Sequence, residues 1–159
     1  FGQWNEWYHE TSLDWHLLQN AAHQGLLRFV GDLNRLYRSE PALYELDFVN
    51  EGFQWVDLHD WEGSTASYLR KGRHADDVVL VVCNFTPVPR HNYRVGVPRG
   101  GYWRELLNSD ATSYGGGGMG NLGGAESAPV SAHGQFHSLT ITLPPLSVLC
   151  FKAPPGGGG

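Results

Sequence analysis

From residue 52 onward the apolar residues of this chain leave helical spacing and recur in short runs separated by turn chemistry. The runs at 53–57, 66–70, 78–85, 93–97, 103–107, 138–143 and 147–152 read as strands. Leu139-Thr140-Ile141-Thr142-Leu143 alternates with period two, which gives one buried and one exposed face. The run 78–83 is apolar throughout, so a central strand covered on both faces is expected there. Gly63-Ser64, Lys71-Gly72, Pro87-Val88-Pro89 and Gly100-Gly101 supply the turns between runs. Seven short strands at such spacing predict an antiparallel β-sandwich.

The first quarter of the chain follows another rule. Leu26, Leu27, Phe29, Val30, Leu33, Leu36 and Tyr37 recur at i, i+3, i+4 and i+7, with Arg28, Asp32, Arg35 and Arg38 opposite. That predicts one amphipathic helix over 23–39, ended near Pro41. A further turn is expected at 42–45, and a helical turn capped by Ser12 over 12–18. This part is too small to fold alone, and its apolar helix face needs the sandwich or another domain as cover. Residues 115–124 hold seven glycines and read as a flexible, solvated insertion.

Composition excludes several functions. The net charge is −5 and no basic patch occurs, so no nucleic-acid partner is expected. The longest apolar run has six residues against the roughly 20 of a membrane helix. Residues 1–10 carry neither the basic start nor the apolar stretch of a secretory leader. Cys83 and Cys150 both fall in strand-like runs and read as reduced core thiols, with an inter-strand disulfide the alternative. Met119 is the only methionine, so the chain is expected to be the C-terminal part of a larger protein.

Few constellations could carry chemistry. Glu6, Glu10 and Asp14 are close in sequence, but nothing places two of them on separate rigid supports flanking a bond, as glycoside hydrolysis requires. His9, His16 and His23 recur at seven-residue spacing, which is not that of a metal site, and no Cys-x-x-Cys accompanies them. His133 and His137 read as polar loop residues. No Gly-x-Ser-x-Gly elbow occurs, and Gly116-Gly117-Gly118 lacks the lysine and strand-to-helix context of a phosphate loop. No metal, cofactor or catalytic residue is expected. What remains is an aromatic segment: Trp4, Trp7, Tyr8 and Trp15, interleaved with Asn5, Glu6, His9 and Asp14. Sugars bind by ring faces against aromatics and by hydroxyls against carboxylates and amides. The same tryptophans would equally pack a seam between domains.

Several strings carry a family resemblance. Phe1-Gly2-Gln3-Trp4-Asn5-Glu6-Trp7, Ser12-Leu13-Asp14-Trp15-His16-Leu17-Leu18 and Asp32-Leu33-Asn34-Arg35-Leu36-Tyr37 resemble the end of the catalytic barrel in bacterial glycogen branching enzymes, of the alpha-amylase superfamily. The similarity continues through Gly52-Phe53-Gln54-Trp55, Trp103-Arg104-Glu105-Leu106-Leu107-Asn108 and Leu143-Pro144-Pro145-Leu146. Asn84-Phe85-Thr86-Pro87-Val88-Pro89-Arg90 is its most specific piece and argues against other amylases.

The resemblance implies a mainly β fold: a C-terminal antiparallel β-sandwich preceded by the last loop and helix of a (β/α)8 barrel. Residues 1–41 would be the barrel's end, 42–153 the sandwich and 154–159 a disordered Pro/Gly tail. Loops after barrel strands line the active-site face, so Trp4, Trp7, His9, Asp14 and Trp15 are expected at the rim of a glucan cleft. The family cleaves an α-1,4 glucan and transfers the chain to a 6-hydroxyl. Its catalytic carboxylates lie on earlier strands, so this chain alone is expected to be inactive. The implied partners are an α-glucan and the barrel of the same protein; a cytoplasmic monomer is expected. The alternative is a non-catalytic glucan-binding sandwich module.

Overall fold

The computed structural model describes residues 1–4 and 7–156. One helix, α1 (Ala21–Ser39), precedes eight strands. These are β1 (Phe53–Asp57), β2 (Thr65–Lys71), β3 (Val78–Asn84), β4 (Arg90–Val97), β5 (Tyr102–Asn108), β6 (Gly124–Glu126), β7 (His137–Leu143) and β8 (Ser147–Lys152). A six-stranded sheet has the order β1-β2-β3-β8-β5-β6, and β4 pairs with β7 in a second sheet of two strands. All pairings are antiparallel. The sandwich is therefore unequal, and α1 makes a third layer on the outer face of the large sheet.

Period-two alternation sorts the side chains between these layers. Leu80, Val82, Leu149 and Phe151 point inward and meet Val95, Val97, Leu139, Ile141 and Leu143 of the small sheet. Trp103 is the largest residue in this core; it is fully buried, and its indole N–H donates to Arg99 O at 3.2 Å. Each such side chain contributes roughly 1.5–3 kcal/mol on leaving water. Val79, Val81, Cys83 and Cys150 point outward and meet Leu36 and Ala42. Every residue of β3 is thus buried, as its unbroken apolar run predicts.

Asn84 closes β3. Its amide donates to Val88 O at 2.9 Å and Pro144 O at 2.8 Å, and its carbonyl oxygen accepts from Thr86 N and Thr86 Oγ1. The Asn-Phe-Thr-Pro string is therefore a device that ties two loops to one strand end.

Helix α1 ends at Glu40, ahead of Pro41, whose ring disfavours helical backbone in the residue before it. Glu40 and Asp77 both accept from Lys152 Nζ, at 2.7 and 3.1 Å. Burial pushes the lysine down, but these two carboxylates outweigh it and its pKa is raised. The sandwich covers one side of α1, and Leu26, Leu27, Val30, Leu33 and Tyr37 stay substantially exposed on the other.

Four features differ from expectation. The short turn near the start is a 3-10 helix at Trp15–Gln19; it follows Asp14, and Ser12 does not cap it. The extra turn after α1 is Pro41–Leu43. Strand β6 was not predicted. It has no β-branched residue and exists because Tyr102–Arg104 of β5 offer a free edge.

The fourth is 115–124, which is stitched in place. Asp110 accepts from Gly117 N at 2.8 Å and Met119 N at 3.0 Å through its carboxylate, and from Gly118 N through its carbonyl. Asn121 exchanges two hydrogen bonds with the backbone of Thr142. The glycines permit this closeness: a Cβ on Gly116 would lie 2.3 Å from Asp110 O.

The thiols of Cys83 and Cys150 are free and buried. Burial pushes both pKa values up, that of Cys150 to about 12. Of the 154–159 tail, Pro154 O accepts from Arg99 and Gly156 N donates to Asp76. Residues 157–159 lie outside the described part.

Candidate functional site

The aromatic segment is anchored at its two ends. Phe1 stacks on Trp15 with ring centroids 5.6 Å apart and an interplanar angle of 28°. Phe1 O lies 2.7 Å from Nδ1 of His23 on α1. Asp14 N donates to Gln3 Oε1 at 3.2 Å, which brings the two ends of the segment together. Gly2 sits at φ +78°, where a side chain would meet Leu26 and His23.

Between these anchors the rings stand in water. Trp4 is 94% and Trp7 101% exposed. Trp7 has φ +55°, a strained conformation for a bulky residue. Trp15 remains 58% exposed despite its stack on Phe1. His9 is exposed and Asp14 half-buried. The structure therefore joins Trp15 and Asp14 to one anchored turn, with Trp4, Trp7 and His9 presented outward from it. Asn5 and Glu6 lie outside the described residues.

Such exposed tryptophan is unfavourable in an isolated soluble surface, and contiguous apolar area of this kind marks an interaction site. Flat indole faces suit the apolar faces of a sugar ring. Two of the six Trp residues are thus free to do this from 1–20, and a third does so with one face.

A second aromatic surface was not singled out from the sequence. On the outer face of the large sheet, Phe53 and Trp55 of β1 meet Tyr68 of β2. The centroid separations are 4.9 Å (Phe53–Trp55), 5.2 Å (Phe53–Tyr68) and 5.8 Å (Trp55–Tyr68). Trp55 is half-exposed, held by edge-on contacts to both neighbours. The signal was available: residues two apart in a strand share a face. Beside it, hydrogen bonding from Arg70 holds the Asp47 carboxyl below the usual carboxylate range. Burial first, and Asp47 second, raise the Tyr37 hydroxyl.

A cleft of about 530 Å³ opens between α1 and the sheet, lined by Phe29, Leu33, Leu36, Val81, Leu107 and Cys150 among others. It is apolar and contains no nucleophile in an activated state, because the thiol of Cys150 is shifted far from thiolate. Glu105 is the carboxylate most altered by burial, which raises its pKa. No second carboxylate is paired with it. Among the described residues no three His, Cys, Asp or Glu converge where a metal could sit. Nor is any helix long and apolar enough to cross a membrane. The arrangement is suited to binding by stacking.

Comparison with known proteins agrees with this architecture. Residues 55–154 match the family described as "Alpha amylase, C-terminal all-beta domain". The chain is 61% identical over 152 residues to a 1,4-alpha-glucan branching enzyme of Aquifex aeolicus, covering 96% of this chain and 24% of that protein. It is 62% identical over 149 residues to the enzyme of that name in Aromatoleum aromaticum, covering 94% of this chain and 23% of that protein. For Pseudomonas putida the identity is 56% over 152 residues, with 96% and 20% covered. The chain thus spans about a quarter or less of the length of these relatives.

Proposed function

We propose, from the premise that the chain belongs to the alpha-amylase C-terminal all-beta domain family, that it is the sandwich-bearing part of a 1,4-alpha-glucan branching enzyme. The observation that carries this is identity above 60% along nearly the whole chain to enzymes of that name. The whole protein then acts as a glycosyltransferase in glycogen biosynthesis, making α-1,6 branches by transferring α-1,4-glucan chains. Residues 1–41 serve as the last loop and helix of the catalytic barrel, 42–153 as the C-terminal sandwich and 154–159 as the tail.

In this proposal the chain does no chemistry. It supports the barrel through the open side of α1, and it contacts glucan through Trp4, Trp7, His9, Asp14 and Trp15. The outward presentation of Trp4 and Trp7 supports that role. The Trp55 platform is a second stacking surface for the same polymer. We place the protein in the cytoplasm as a monomer; two free buried thiols accord with a reducing compartment.

The test is an amylose assay on the full-length protein and on the 159-residue chain. The full-length protein should lower the iodine absorbance of amylose and introduce α-1,6 linkages; the chain alone should do neither. Branching by the chain alone would contradict the proposal. An inactive full-length protein that still binds glycogen would leave a glucan-binding sandwich instead.

A further inference from the structure

One end of the sandwich is apolar beyond what its fold uses. Three loops meet there: 58–64, 85–89 and 144–146. Phe85 N donates to Ser64 O at 3.0 Å, Leu146 N to Thr86 O at 2.8 Å, and Arg90 to Gly63 O at 2.8 Å. The Asn84 amide ties Pro144 and Val88 to the same strand end. Asp60 holds Gly63 N and Thr65 Oγ1. These bonds fix the loops, yet Trp61 (80%), Phe85 (63%), Val88 and Leu146 (68%) face solvent from them. Folding uses the polar members of this end and leaves the large apolar ones unused.

The polar bookkeeping limits what can cover it. The carbonyls of Thr86, Gly63, Ser64, Pro144 and Val88 are already acceptors, and the side chains of Asn84 and Asp60 are fully engaged. Few groups remain to receive sugar hydroxyls, so the surface suits a dry, apolar protein partner.

Position identifies that partner. Ser147 follows Leu146, and Ser109 exchanges hydrogen bonds with Val148 through its N–H and its Oγ. Ser109 leads through 112–114 to α1: Arg28 donates to Ser113 O, and a Cβ on Gly25 would lie 2.2 Å from Tyr114 O. That half of α1 holds Phe1 through His23. The patch and the aromatic segment therefore lie toward the same end of the molecule. The relatives are about four times the length of this chain, so a large body of protein has to be accommodated.

We infer that the loop end carrying Trp61, Phe85, Val88 and Leu146 is a seat for the remainder of the same protein. This rests on the proposal that the chain is one part of a longer branching enzyme.

Hydrogen exchange on the full-length protein and on the 159-residue chain tests it. Amides of 85–89 and 144–146 should exchange at least about tenfold more slowly in the full-length protein. The double variant Phe85→Asp/Leu146→Asp should erase that difference while leaving the melting temperature of the 159-residue chain unchanged. Equal exchange in the two wild-type proteins would overturn the inference. So would a variant that destabilises the short chain as much as the long one, which would make these residues structural. Loss of glycogen binding with protection retained would assign the patch to sugar. Concentration-dependent dimers of the short chain, broken by the variant, would assign it to a second copy; either result overturns the inference. If the full-length protein is inactive, the underlying proposal fails, and this is read separately from the exchange result.

Discussion

Two stretches of this chain look alike as sequence and differ as structure. Residues 1–14 and 110–124 are both irregular and both lie toward the helix end of the molecule. In the glycine-rich stretch nearly every turn has an assigned acceptor: Asp110 takes three backbone N–H groups, and Asn108 and Asn121 fasten the flanks. Among the described residues of the aromatic stretch, the first backbone–backbone bond is Trp15 N to Leu13 O. The stretch with almost no side chains is held fast, and the one with four large aromatic rings is held at its ends. Order follows hydrogen-bond accounting, not side-chain mass. A segment that keeps large rings in water without fixing them is the better place to seek a ligand.

The contrast can be broken first at Asp110. Asp110→Ala removes the carboxylate that accepts from Gly117 and Met119, and hydrogen bonds to charged groups contribute about 1.5–3 kcal/mol each. Allowing for solvent exposure, we expect a loss of roughly 2–3 kcal/mol in urea unfolding. An unchanged midpoint would show that the glycine stretch is as loose as its composition suggests.

Gly25→Ala comes next and is informative by its sign. In an exposed helix interior this change gains about 0.5–1 kcal/mol. Here the added Cβ would press on the Tyr114 carbonyl at 2.2 Å, so a cost of about 1–3 kcal/mol is expected. A gain in thermal stability would mean that α1 and the 112–114 turn are not in contact.

Tyr114→Phe sharpens the same junction. The Tyr114 hydroxyl donates to Asp32 at 2.7 Å. Burial, and then Asp32, push its pKa up to about 12, while the hydrogen bond from Tyr114 lowers Asp32. A tyrosine whose folded pKa lies above its unfolded value near 10 stabilises the fold fully below pH ~10 and loses that contribution as pH rises toward 12. The variant should cost roughly 0.5–1.5 kcal/mol at pH 7. It should also flatten the fall in stability between pH 10 and 12, measured by denaturant titration at each pH.

The smallest stability effect is expected in the other stretch. Trp4→Ala and Trp7→Ala should each change unfolding free energy by less than about 0.5 kcal/mol, because nothing in the fold rests on either ring. A larger loss would mean that the segment is packed and would make it a structural seam.

Much of the fold was legible because it rests on periodicity. The runs at 53–57 and 147–152 match β1 and β8 at both ends, and α1 begins two residues before the expected 23. The double-sided burial of β3 followed from its unbroken apolar run. What was hidden depends on partners distant in sequence. Gly124-Ala125-Glu126 became a strand because Tyr102–Arg104 presents an edge. The glycine stretch became ordered because Asp110 lies beneath it. The aromatic segment could be found by composition, but the Trp55 platform required knowing that Tyr68 lies across the sheet. Carboxylates gave no false site, since none was placed on separate supports.

The most direct measurement is retardation of the 159-residue chain in a gel containing glycogen, compared with the triple variant Trp4→Ala/Trp7→Ala/Trp15→Ala. The account predicts that the wild-type chain is slowed and that the variant, equally folded by circular dichroism, runs at the speed seen without glycogen. Equal retardation of the two, or none for the wild-type chain, would contradict the assignment of the aromatic segment to glucan.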